Sequence, residues 1–385
     1  MFVARQIAVH LEKLRQQYPI LAVTGPRQSG KTTLLKAAFP DFTYLSMEDA
    51  DIRSFAETDP LGFLRKYPER VIFDEAQRVP MLFSYLQTAV DKSGQMGQFI
   101  LSGSQNFHLM NSITQSLAGR VALFKLLPLD FRELAQAGLL QDHWKDLVIT
   151  GSYPAIYARN IEPPVFYANY VQTYIDRDVR ELSRVHDLRL FRNFLTLCAA
   201  RTGQLLNLSN LANECGISQP TAKSWLSILE SSYILFLLQP YYQNFNKRVT
   251  KSPKLYFYDT GLVSFLLNLR NTGDLDDSGF AGSLFENLMI AEYQKQNHHQ
   301  YQLKEYWFWR DAAGNEVDML SKAGQSFDVY EIKSTQTVLP ALFKGLDYFS
   351  GLENVKIHSK NLIYGGLDTQ YRTEYTVRGW REVSG

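Results

Sequence analysis

The sequence predicts an α/β protein: a parallel sheet with helices on both faces, then a mostly helical stretch, then a second α/β unit. Three observations predict it. From Pro19 to about Val121 short apolar runs alternate with helix-period segments, the pattern of strands joined by crossover helices in a parallel sheet. From about Phe131 to Arg201 strand-like alternation stops. From Ser283 onward both patterns return.

The first element, "MFVARQIAVHLEKLRQQYP", carries charges every few residues and reads as an amphipathic helix, not a signal peptide. The runs "ILAVTG", "FTYLSM", "RVIFDE" and "QFILSGS" each read as a buried strand ending in a polar turn, with "KTTLLKAAF" and "MLFSYLQTAVDK" as helices between them. After the helical stretch, "LSNLANECGISQPTAKSWLSILESSYIL" reads as helix, turn, helix, and "YILFLLQPYYQNFNKRVTKSPKLYFYD" as a hairpin. "NTGDLDDSG" reads as a loop. "SLFENLMIAEYQKQ" and "ALFKGLDYF" are helical, and "EYWFWRD", "NEVDMLS" and "FDVYEIKS" are strands.

With 385 residues, 45% of them apolar and 13% aromatic, the chain can bury two or three cores and is not disordered. The net charge of +1 means that a nucleic-acid surface would have to be a local patch. Cys198 and Cys215 are the only cysteines, so a disulfide framework and a cysteine-built zinc site are excluded and a reducing compartment fits. The most apolar run, "YILFLLQPYY", is too short to cross a bilayer. The expectation is a cytoplasmic protein without membrane contact.

"GPRQSGKT" fits G-x-x-x-x-G-K-[ST] between a strand and a helix, which makes it a phosphate-binding loop of the P-loop NTPase type. Gly25 and Gly30 let the backbone curl after Pro26, so that the N–H groups of Arg27, Gln28 and Ser29, and then of Lys31, Thr32 and Thr33, surround an anion. Lys31 is expected on the β- and γ-phosphates of ATP and Thr32 on Mg2+. "RVIFDEAQ" supplies Asp74 to hold the magnesium and Glu75 to polarise the attacking water. The next strand places Ser102 or Ser104 between water and phosphate. Arg120 in "SLAGRV" is either a transition-state arginine acting in a neighbouring subunit of a homo-oligomer or a salt-bridged surface residue.

The loop, "FDEAQRVP", "LSGSQN", "SLAGR" and "LPLDFREL", in this order, resemble the AAA-type ATPases of bacteria and archaea that carry a C-terminal domain of unknown function 4143. "GSYPAIY", "YIDRDV", "YFYDTGL" and "FENLMIAEY" extend the resemblance over nearly the whole chain.

In the helix-turn-helix segment Ser209 is expected to cap the first helix, Gly216 to close it and Ser218 to cap the second. The start of the second helix carries Gln219, Thr221 and Lys223, small or polar residues suited to a DNA groove. Lys247, Arg248, Lys251 and Lys254 would form the basic wing of a winged helix that grips phosphates. Use of this module for packing or subunit contact is the alternative.

In the last unit Glu286 lies among apolar residues of a helix that Ser283 would cap, Asp318 starts a strand, and Glu331 and Lys333 share one side of the next. Hard carboxylates in such a set collect Mg2+, with Mn2+ as a substitute, and activate water against a phosphodiester. The order Glu, Asp, Glu-x-Lys resembles the PD-(D/E)XK nucleases. That resemblance implies Asp318 and Glu331 as metal ligands, Glu286 as a supporting ligand and Lys333 as the catalytic lysine. The alternative is a surviving fold whose acids pair with Lys333 or bind DNA without cutting.

The expected organisation is an ATPase domain over residues 1–135, a helical connector over 136–187, a winged helix over 188–250 and a nuclease-like α/β domain over 251–385. The expected function is ATP-hydrolysing DNA processing. A catalytically silent platform and a nucleotide-gated regulatory switch are its rivals.

Overall fold

The computed structural model describes residues 2–104, 113, 115–175, 187–241 and 250–384. Five strands, β1 (Ile20–Thr24), β2 (Thr43–Ser46), β3 (Val71–Asp74), β4 (Phe99–Gly103) and β5 (Val121–Lys125), form a sheet in the order β2-β3-β4-β1-β5. Every pairing in it is parallel. The central strands are apolar on both sides because helices cover both faces. Ala22, Phe73 and Leu101 pack on Phe63, Phe83 and Leu86. Leu21, Ile72 and Ile100 pack on Ile7, Leu11 and Leu35 from the opposite face. The N-terminal helix is Ile7–Arg15. This topology collects the carboxyl ends of β1, β3 and β4 on one edge, where an open α/β sheet binds its ligand.

The following segment is helical throughout its described part, from Phe131–Gln136 to Leu188–Ala199. Helices Leu208–Cys215 and Gln219–Ser231 make the helix-turn-helix. Gly216 (φ 71°) ends the first, and Ser218 accepts the Thr221 N–H of the second at 3.2 Å. The cap of the first helix is Asn207, which accepts the Asn210 N–H at 3.0 Å; Ser209, the residue expected from sequence, already lies inside the helix. Asn is as good a cap as Ser and stands two residues earlier. β6 (Leu235–Pro240) and β7 (Lys254–Phe257) pair antiparallel behind these helices.

β6 also pairs with β8 (Tyr306–Arg310), so the hairpin continues into a mixed sheet. β8, β9 (Glu316–Ala323) and β10 (Ser326–Lys333) run antiparallel in succession, and β11 (Ile357–Tyr364) lies parallel to β10 after the helix Lys344–Ser350. With β12 (Gln370–Tyr371) and β13 (Thr376–Gly379) the order is β12-β13-β11-β10-β9-β8-β6-β7. One apolar core holds Phe191, Trp225, Phe257, Phe285, Met319 and Trp380 together, so sheet and core run unbroken across position 250.

Two expectations are corrected here. "NTGDLDDSG" contains a short helix, Thr272–Asp277, because Asn271 accepts the Asp274 N–H at 3.0 Å and so caps it. The long helix Ala281–His299 starts without a side-chain cap, and Ser283 instead donates to the Phe280 carbonyl at 3.1 Å. Among the described residues no helix is long and apolar enough to cross a membrane.

Candidate functional site

The phosphate loop leaves β1 at Gly25 (φ 149°), where a Cβ would stand 2.0 Å from the Leu126 carbonyl oxygen. Only glycine permits that approach to the end of β5. Gly30 takes the left-handed conformation at the start of helix Lys31–Ala38. The Lys31 side chain curls back into the loop, and its ammonium donates to the carbonyl oxygens of Gly25 at 2.9 Å and Pro26 at 2.8 Å.

Behind the loop, Asp74 collects three hydroxyls. Thr32 donates to Oδ2 at 2.8 Å, Tyr44 donates to the same oxygen at 2.6 Å, and Ser102 donates to Oδ1. Burial and the Asp74 carboxylate together push the Tyr44 phenol well up. Glu75 follows with φ 53°, a conformation that costs a non-glycine residue energy. Its carboxylate accepts the Gln77 amide at 2.5 Å and the Ser104 hydroxyl at 3.2 Å.

These groups open on a cavity of about 520 Å3. Lys31, Thr32, Glu75 and Ser104 line one part of it, with Arg27 and Arg159 as further cations. Phe2, Val3, Leu129, Pro154, Ala155 and Ala158 supply an apolar part. The size and the mix of apolar wall with a few polar groups suit a nucleotide. Of the two serines, Ser104 faces the cavity, while Ser102 is buried against Asp74.

Residues 17–135 match the family described as AAA domain. Over these residues the chain is similar to AAA domains, and its glycine loop fits the P-loop pattern. Two further matches cover domains of unknown function, DUF8612 over residues 141–273 and DUF4143 over residues 281–381. An uncharacterized protein of Mycobacterium tuberculosis is 28% identical over 368 residues, covering 94% of this chain and 80% of that protein. One of Methanocaldococcus jannaschii is 24% identical over 334 residues, covering 78% and 71%. Among solved structures, a Walker-type ATPase of Pyrococcus abyssi is similar with a TM-score of 0.45 at 15% identity, covering 68% of this chain and 95% of that one.

The α/β unit that carries the loop is tied to the C-terminal region from beneath the loop. Arg5, which is buried, donates to the carbonyl oxygens of Ser29 and Leu127, each at 2.7 Å, and pairs with Glu133 at 2.9 Å. His299, at the end of helix Ala281–His299, accepts the Leu127 N–H at 3.1 Å through Nε2 and turns Nδ1 to Asp130 at 2.7 Å. Burial alone would raise the Asp130 carboxyl, but His299 and the Glu133 N–H outweigh it and hold it low. Asp130, Glu133 and His299 lie close enough to share a metal. Their lone pairs are already taken: Asp130 and Glu133 form a reciprocal capping box, and Glu133 also accepts the Gln6 N–H at 2.9 Å. The cluster is an interlock between domains.

Arg120, read from the sequence as either a transition-state arginine or a salt-bridged surface residue, precedes β5 at the edge opposite the phosphate loop, and Asp91 holds it by two contacts of 2.5 and 2.8 Å. Any role at a neighbour's phosphate would first have to break that pair. Gln219 and Lys223 are exposed at the start of the second helix, Thr221 partly so. Lys251 is exposed, whereas Lys247 and Arg248 lie outside the described residues.

Lys254 is a correction. It is only 3% exposed and points inward from β7, so it cannot grip DNA. Its ammonium pairs with Glu286 at 2.9 Å and with Glu316, while the Tyr256 hydroxyl donates to Glu286 at 2.5 Å. Lys333 pairs with Asp318 at 2.9 Å and with Glu331 at 2.7 Å. The metal ligands expected from sequence, Glu286, Asp318 and Glu331, do assemble around helix Ala281–His299, β9 and β10. They do not form a group whose oxygens could all reach one ion; among the described residues the only such group is Asp130, Glu133 and His299. Burial and Asp318 push the Glu331 carboxyl up to about 8. Burial would raise Asp318 too, but Lys333 and Lys254 hold it low.

Several functional residues carried no signal in the sequence. Tyr44 reaches Asp74 only because β2 pairs with β3, and Arg5 reaches Leu127 across a sequence separation of 122. Glu316, which shares β9 with Asp318, was visible as an acid but not as the partner of Lys254.

Proposed function

We propose that this protein hydrolyses ATP with Mg2+ and holds DNA through helix Gln219–Ser231, with its C-terminal domain as a platform that does not cut in the lysine-paired arrangement. The observation that carries the reading is the joint presentation of Thr32, Asp74 and Glu75 at one edge of the sheet beside Lys31. The Thr32 hydroxyl and the Asp74 carboxylate already touch at 2.8 Å, and an oxygen pair at a phosphate loop is a donor set that suits Mg2+. The ion would neutralise charge between the β- and γ-phosphates. Lys31 would exchange two loop carbonyls for phosphate oxygens. Glu75, steadied by Gln77 and Ser104, is the group that orients and polarises the attacking water.

Exposed Gln219 and Lys223 at the start of a capped helix, with exposed Lys251 just before β7, support DNA contact by a winged helix. A second reading, metal-dependent DNA cleavage of the PD-(D/E)XK type, is favoured by Glu286, Asp318, Glu331 and Lys333 standing together on a helix and two adjacent strands. The ion pairs that both lysines make with these acids weigh against it.

The test is phosphate release from ATP with Mg2+, with and without duplex DNA, beside DNA binding by fluorescence anisotropy at rising salt and a cleavage assay with a Lys333→Ala control. Turnover together with salt-sensitive binding and intact DNA is the expected result. Absence of turnover under all these conditions overturns the ATPase reading, and Lys333-dependent cleavage by the wild type overturns the platform reading.

A further inference from the structure

The C-terminal acidic cluster offsets most of its charge internally. Four carboxylates, Glu286, Glu316, Asp318 and Glu331, meet three cations, Lys254, Lys333 and Arg310, the last pairing with Glu316 at 2.9 Å. Lys333 arises from the same strand as Glu331, as the Glu-x-Lys pattern demands. Lys254 does not belong to that pattern. It comes from β7, the strand at the far end of the sheet, which pairs only with β6 among the named strands. Its side chain is 4% exposed and its ammonium lies between Glu286 on the helix and Glu316 at the start of β9. A divalent ion shared by Glu286 and the strand acids would compete for the same carboxylate oxygens.

A second observation shows that the cluster is closed but not fully satisfied. Glu331 is buried, and its Oε2 has no hydrogen-bond partner. That oxygen lies against Gly345, where a Cβ would approach it to 2.9 Å. A buried carboxylate oxygen without a donor is costly and marks a place where a cation or a proton is missing. The resemblance to PD-(D/E)XK nucleases implies a metal here, and the arrangement present does not fit one, because the carboxylates are turned to two lysines.

We propose that Lys254 is a tethered cation that closes the C-terminal acidic cluster, and that a divalent ion and the Lys254 ammonium occupy it in mutually exclusive states. The inference goes beyond the ATPase reading and does not depend on it: ATP turnover can be present or absent without changing the outcome. Removing the ammonium leaves Glu286 and Glu316 facing each other with one cation fewer, and a hard divalent ion is the natural replacement.

The test is Mn2+ binding to the nucleotide-free full chain, followed by calorimetry and by electron paramagnetic resonance of free Mn2+. Lys254→Met is expected to gain one Mn2+ site, bound about tenfold or more tighter than anything in the wild type. The gain should vanish in Lys254→Met/Asp318→Asn. If Lys254→Met does not fold, Lys254→Gln, which removes the charge and keeps a polar side chain beside Glu286 and Glu316, serves in its place and should show the same gain. Correctly folded variants that bind Mn2+ no better than wild type overturn the proposal. So does a wild type that already holds one Mn2+ whose binding is lost in Asp318→Asn and unchanged by Lys254→Met. Phosphate release measured on the same samples separates this result from the ATPase reading.

Discussion

The Thr32 hydroxyl donates to Oδ2 of Asp74 across 2.8 Å, joining the helix that leaves the phosphate loop to a strand two places away in the sheet. The loop is therefore preset against its acid. Thr32→Ala removes this hydrogen bond and the oxygen expected on Mg2+, and leaves Asp74 held by Tyr44 and Ser102. The fold should survive, with a melting temperature within a few degrees of wild type. ATP turnover should drop about a hundredfold, the scale of losing one preorganised charge-stabilising group. Turnover equal to wild type at saturating Mg2+ would show that Thr32 is not an ion ligand.

Glu75→Gln keeps the shape of the side chain and its place beside Gln77 and Ser104 while removing the carboxylate. Nucleotide binding should be retained, and turnover should fall by about 10²–10⁴, the usual contribution of a general base. A filter-binding or fluorescent-nucleotide assay beside phosphate release separates the two. Weak binding and weak turnover together would instead place Glu75 among the groups that hold the nucleotide.

Arg5 joins Ser29 of the phosphate loop to Glu133, and Glu133 to the network that includes His299. Arg5→Met leaves Glu133 buried without its cation, so it should cost about 3–5 kcal/mol of stability, the range for breaking a buried pair. His299→Ala strands the Leu127 N–H and should cost about 1–3 kcal/mol. Chemical denaturation reads both. If both variants melt as wild type does, the interlock contributes nothing.

The N-terminal α/β unit was legible because its motifs are local. The loop, its strand and its helix are consecutive, and parallel strands buried on both faces leave unbroken apolar runs such as Ile20–Val23. The C-terminal acids were legible as residue types, and the structure does bring Glu286, Asp318, Glu331 and Lys333 together. Their pairing state was not, because Lys254 reaches them through a strand order, β10-β9-β8-β6-β7, that no local pattern encodes. A lysine in a run with Lys251 reads as a wing cation until the direction of its side chain is known. The helix at Thr272–Asp277 was hidden by a Gly and Asp composition that outweighs a single Asn cap.

DNA contact, if made as proposed, rests on Lys223 and Lys251, both exposed, and not on Lys254. Lys223→Ala/Lys251→Ala should weaken duplex binding and make the dependence of log affinity on log salt shallower, by about 0.9 for each phosphate that the variant leaves unneutralised. Lys254→Ala should leave that slope unchanged. A slope that falls with Lys254→Ala and not with the double variant would overturn the assignment of the groove-facing surface.

Lys125 carries a pH signature. It ends β5 beside the Tyr233 ring, 5.4 Å from its centroid, and burial pulls its ammonium down to about 8. His298 nearby is held down to about 2 by burial and by Lys125, so it stays neutral and offers no counter-charge. In the unfolded chain the lysine titrates at about 10.4. Between about pH 8 and about pH 10.4 the unfolded state thus binds more protons, and this group makes stability rise with pH across that window. Below pH 8 the cost of the buried charge is present in full. Lys125→Met removes that cost and should raise stability at pH 7, with an advantage that shrinks steadily from about pH 8 to about pH 10.4. Partial exposure of Lys125 keeps the slope under the roughly 1.4 kcal/mol per unit of a fully shifted group. Urea melts of both proteins at several pH values read the difference, and an advantage that stays constant or grows across the window would show that Lys125 keeps its ordinary pKa in the folded protein.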